Sequence, residues 1–186
     1  MFSNWHRSQT RNLLASGRQK YTATASTPGA IIPFGFALEP GSDYTLDLVI
    51  DDISATTQTI QLQWALNGTS LTGNRIETAM QLRTITSPGT SPIYGLTLKV
   101  PGDPVGTANH LDAEVKMHLG DRYLASHTWS TYSVGPSSTF MNSVLSSARM
   151  LASSTSDRFT GFALYLGPTP PAFTLSWRLY TNDLCR

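Results

Sequence analysis

Residues 34–66 read FGFALEPGSDYTLDLVIDDISATTQTIQLQWAL, and the fold turns on this stretch. Tyr44, Leu46, Leu48 and Ile50 alternate with Thr45, Asp47, Val49 and Asp51. Ile60, Leu62, Trp64 and Leu66 alternate in the same way with Gln61, Gln63 and Ala65. Successive side chains of a strand point to opposite faces, so a period of two predicts two strands, each with one apolar and one mostly wet face. Pro40-Gly41-Ser42 supplies turn chemistry before the first strand, and residues 54–58 before the second. Two half-buried strands need a second layer over their apolar faces.

The rest of the chain supplies that layer. Upstream, Ile32, Phe34, Phe36 and Leu38 share one parity, and Pro33 places them at an edge or a strand start. Downstream, Asn67-Gly68 is a strong hairpin signal because both residue types tolerate positive φ. Asn67-Gly68-Thr69 is also a glycosylation sequon, but the turn explains it better. Residues 76–84, 94–100, 111–119, 159–166 and 172–180 each read as strands, bounded by Gly- and Pro-rich turns. Residues 123–134 place Tyr123 and Trp129 on one parity and Tyr132 on the other, which predicts a strand covered on both faces. Leu46, Leu48, Leu62, Trp64, Leu96, Leu98, Val115, Leu175 and Trp177 form the expected core.

One segment breaks the period. Between residues 138 and 153, Phe140, Met141, Val144, Leu145, Ala148 and Leu151 fall at three-and-four spacing behind Pro136 and a candidate N-cap at Ser137 or Ser138. That spacing predicts an amphipathic helix of about four turns. The expected fold is therefore all-β: an antiparallel β-sandwich, jelly-roll-like, with one late α-helix and an extended N-terminal arm. The arm is residues 1–28, and the sandwich domain is residues 29–186 with the helix at about 138–153.

Only 13% of the 186 residues are charged, and the net charge is +1. Serine and threonine stand where charge is usual, which suits a surface partly covered by neighbours or one that binds carbohydrate. The small net charge hides a segregation. Arg7, Arg11, Arg18 and Lys20 precede Glu39 with no acid among them, whereas Glu39, Asp43, Asp47, Asp51 and Asp52 follow with no base before Ile53. Three readings fit the basic arm: a nucleic-acid contact, a solvated tail, and an assembly arm lying on a neighbouring subunit. Four cations are few for packaging a genome, so the neighbouring subunit is the expected partner rather than nucleic acid. Trp5, Leu13 and Leu14 would be its apolar anchors, and the five acids its counter-surface.

Catalytic signatures are missing from the sequence. It has no GxSxG, P-loop, GxGxxG or CxxC, and its single cysteine, Cys185, rules out an internal disulfide. His6, His110, His118 and His127 lie at no metal-ligand spacing. Asp51-Asp52 could open a calcium site only with a distant third ligand such as Asp103, so a loop-start role is expected. Neither an enzyme nor a cofactor or metal is expected. Trp5 and Trp129 are the aromatics outside the predicted core register that could stack on a sugar or base. No run reads as a signal peptide or a membrane span, so the expectation is synthesis in a cytoplasm without membrane insertion.

LEPGSDYTLDLVI, residues 38–50, resembles the Pro-Gly-x-x-Tyr-x-Leu opening of jelly-roll modules in carbohydrate-binding domains and bacteriophage tail or receptor-binding proteins. The basic polar arm, charge-poor sandwich and aromatic last strand AFTLSWRLY also resemble virus coat and phage accessory proteins. The resemblance implies a virion structural protein, such as a capsid, decoration, neck or tail subunit, that homo-oligomerises through its arm. Its partners would be copies of itself and other virion proteins. The alternative it implies is a carbohydrate- or receptor-binding jelly-roll module.

Overall fold

The computed structural model describes residues 11–21, 31–53, 60–70, 76–83, 96–99, 109–121, 123–134, 140–151, 156–165 and 172–182. These residues are all-β and every strand pair is antiparallel. The larger sheet has seven strands: β1 (Asn12–Tyr21), β3 (Asp43–Ile53), β6 (Ile76–Arg83), β8 (Asn109–Leu119), β9 (Tyr123–Val134), β10 (Phe140–Leu151) and β12 (Phe173–Thr181). Their spatial order is β1-β12-β3-β8-β9-β10-β6. The smaller sheet contains β2 (Ile32–Pro33), β4 (Ile60–Leu66), β5 (Thr69–Ser70), β7 (Leu96–Lys99) and β11 (Phe159–Tyr165), with both β5 and β7 paired to β4.

The two sheets share one core. Leu46, Leu48 and Ile50 on β3, Leu111 and Val115 on β8, and Leu175 and Leu179 on β12 meet Leu62 and Trp64 on β4 and Phe162 and Leu164 on β11. All nine expected core residues are buried. Trp177 crosses the gap to Phe34 and Phe162, with ring centroids 6.0 and 5.8 Å away. Polar bonds also bridge the sheets: the Trp64 indole N–H donates to Ser126 Oγ at 3.3 Å, and the Ser130 hydroxyl donates to the Leu98 carbonyl at 2.7 Å.

Turn chemistry closes the expected hairpin. Asn67 and Gly68 have φ of 49° and 79°, the pair of positive values a two-residue turn needs between β4 and β5. The Asn67 amide is engaged, donating to Asp157 Oδ1 and accepting from the Arg158 N–H, so its side chain latches the turn to the start of β11.

Beyond the first expected strand, which is cut to Ile32–Pro33 with Phe36 exposed, two regions differ from the sequence expectation. The helix expected at about 138–153 is absent: residues 140–151 are strand β10, paired residue for residue with β9 and along its other edge with β6. Val144 and Ser146 are buried while Leu145 and Ser147 are exposed, so the chain alternates although its apolar residues do not. Serine and β-branched residues form helices poorly, and two neighbouring strands supply backbone partners that local apolar spacing cannot reveal. The second difference lies within residues 1–28. Asn12–Tyr21 forms β1 and pairs with β12 of its own chain, and Gly17 lets the backbone lie against the Trp177 ring.

Candidate functional site

The outward side of the larger sheet is where the unused polar and aromatic side chains gather. Strand pairing sets Ser16, Arg178, Asp47, Glu114, Trp129 and Leu145 in one row across β1, β12, β3, β8, β9 and β10. Arg18, Ser176, Val49, Asp112 and Thr131 make the next row. Side chains from both rows line an open trough of about 860 Å³. Trp129 stands in it with 64% of its surface exposed, next to exposed Leu145.

Burial and pairing divide the trough's charges. Arg11, just before β1, donates to Glu114 Oε2 at 2.8 Å and lies 4.0 Å from Asp47. That hydrogen bond holds the Glu114 carboxyl below its ordinary value, with lesser help from Lys116. Asp47 moves the other way: partial burial raises it, and the more distant Arg11 and Arg178 do not cancel that. Two carboxylates thus compete for one guanidinium, and Glu114 takes the direct bond.

His110 is held from both sides, its Nδ1 2.5 Å from Asp51 and its Nε2 2.7 Å from Asp112. Burial alone lowers its pKa, but the bonds to Asp112 and Asp51 outweigh that and leave it raised. On the same strand, His118 Nδ1 meets Asp43 at 2.7 Å.

The structure therefore redistributes the expected site residues. Arg11 meets Asp47 within one chain, while Asp43 and Asp51 have histidines of β8 as neighbours. Arg18 and Lys20 are exposed on β1, as are Leu13 and Leu14, and Glu39 and Asp52 are exposed. Trp5, Arg7, Asp103 and Cys185 lie outside the described residues. Trp129, expected on a strand covered on both faces, is the open aromatic of that strand, whereas Tyr132 is buried. Sequence reasoning missed Glu114, Asp112 and Arg178 as lining of the same trough as Trp129. Their outward parity was readable, but the strand order that aligns them was not. Among the described residues no group of three or more His, Cys, Asp and Glu side chains is arranged to hold a metal ion.

Comparison with protein-family models, with curated proteins and with solved structures finds no match.

Proposed function

We propose that this chain is a receptor-binding structural module of a virus or bacteriophage particle, a jelly-roll-like β-sandwich that recognises carbohydrate on the outer face of its larger sheet. The observation that carries the reading is Trp129, a mostly exposed indole in a wide trough among hydrogen-bonding side chains. A flat aromatic face takes the apolar face of a sugar ring, while carboxylates, hydroxyls and guanidinium groups nearby bind its hydroxyls. The role is binding and not catalysis, and it is exercised on the virion after synthesis in the host cytoplasm. Glycan-array binding followed by calorimetry tests it. Trp129→Ala should weaken saccharide binding while leaving the unfolding midpoint unchanged. A wild-type chain that binds no glycan removes the recognition role.

A second reading, a subunit that self-assembles through residues 1–28, is favoured by one feature. Leu13 and Leu14 are exposed on the edge strand β1, Leu13 by 56%. Exposed apolar residues beside a sheet edge invite another chain. Light scattering on the full chain and on a Leu13→Arg, Leu14→Arg variant tests it. Assembly of the wild type alone supports the arm, and identical assembly of both removes it.

A further inference from the structure

The trough has two chemically different ends. At one end stands Trp129 on β9, with exposed Leu145 beside it on β10. At the other, β1 and β12 turn Arg18, Lys20 and Arg178 outward, and neither strand contains an acidic residue. The carboxylates between are already served: Glu114 by Arg11 and Lys116, and Asp112 by His110. Arg18, Lys20 and Arg178, by contrast, are exposed and held in no hydrogen bond or ion pair among the described residues, Asp47 attracting Arg178 only without a direct bond. The spare binding capacity of this face is therefore aromatic at one end and cationic at the other.

We propose that the ligand of this trough is an acidic oligosaccharide, with one sugar ring on Trp129 and a carboxylate or sulfate on Arg178 and Arg18. The inference rests on the carbohydrate reading above and adds the ligand's charge and size. Trp129 and Arg178 share a row and are three strand spacings apart, a span of about 14 Å. That span exceeds one sugar ring, so a monosaccharide cannot occupy both ends. Guanidinium is the side chain suited to the acidic end, because its planar fork matches a carboxylate or sulfate with two parallel hydrogen bonds. Asp47 would repel an anion placed beside it, but Arg11 lies 4.0 Å from its carboxylate and Arg178 stands between it and β1. Lys20, one row further along β1, extends the cationic end.

The test uses the full chain with two acidic probes, trigalacturonate and sialyllactose, and their neutral counterparts, methyl-esterified trigalacturonate and lactose. Binding is read by calorimetry and by amide chemical shifts. The acidic probes should bind about tenfold more tightly than the neutral ones, as expected for a hydrogen bond to a charged group at an open site. The preference should shrink as salt is added. Arg178→Gln together with Arg18→Gln should erase the preference, bringing the acidic probes down to the affinity of the neutral ones. Trp129→Ala should weaken every probe. If the neutral probes bind as tightly as the acidic ones, the acidic assignment is overturned and the carbohydrate reading survives. If no probe perturbs Trp129 or its neighbours, both are overturned. If the double arginine variant keeps the preference, the anion is not held where the geometry places it.

Discussion

β4 and β8 carry the same alternating pattern and meet opposite fates. On β4, Ile60, Leu62 and Trp64 alternate with Gln61 and Gln63, and on β8, Leu111, Ala113 and Val115 alternate with Asp112, Glu114 and Lys116. All seven residues of β4 are buried, with Gln61 and Gln63 only 2% and 3% exposed, whereas the polar face of β8 stays open. The difference lies in the kind of polar residue. A neutral amide can be buried if it is hydrogen-bonded, but a carboxylate or ammonium loses too much hydration unless it is paired. Polar alternation shows that a strand has two faces. Charge on the polar face shows which one remains available for binding.

The largest effects should come from the shared apolar side. Leu62→Ala on β4 removes a fully buried side chain and should cost about 2–5 kcal/mol in denaturant unfolding. A cost below about 1 kcal/mol would mean that β4 does not face the common core.

Next comes the direct test of the contrast. Gln63→Glu places a carboxyl on the buried polar face of β4 and should cost about 3 kcal/mol at pH 7. Burial raises that carboxyl's folded pKa, so the penalty should fade as pH drops toward about 4.3, its unfolded value. Glu114→Gln on open β8 makes the converse change and should shift stability by less than about 1 kcal/mol. Equal costs for the two would break the distinction between the strands.

A smaller effect is expected at the edge. A Cβ on Gly17 would come within 2.6 Å of Trp177 Nε1 and 2.8 Å of its Cε2. Trp177 is itself wedged against Phe34 and Phe162, so it cannot yield freely. Gly17→Ala should cost about 1–3 kcal/mol and speed amide exchange along residues 12–21. Unchanged exchange there would show that β1 does not pack on Trp177.

The smallest effect is pH-dependent. The folded pKa of His110 is raised by Asp112 and Asp51 against the opposing effect of burial. Its contribution is therefore fully present below the unfolded value of about 6.5 and is lost as pH rises through the higher folded value. The His110 side chain is 38% exposed, so solvent screening keeps the contribution below about 1 kcal/mol. Wild-type stability should fall toward that of His110→Asn over this window. Parallel pH profiles for the two proteins would show that the carboxylates do not hold the imidazolium.

By itself the sequence determined the all-β class, the inward parity of β3, β4, β8 and β12, and the Asn67-Gly68 hairpin. Those features are local: a period of two or a pair of positive-φ residues is complete within a few positions. Only the tertiary structure decided that residues 140–151 form a strand, because their backbone bonds go to the preceding strand β9 and to β6, far upstream, and no spacing within the segment shows either. It alone seated residues 12–21 against β12 and Arg11 beside Glu114, 103 positions away. The trough is of the same kind. Trp129, Glu114, Asp47 and Arg178 come from four strands, and no spacing in the sequence relates them. Pairing order is set by which sheet edges meet and by the burial each arrangement gains over the whole chain, so a site built across strands exists only once the sheet has formed.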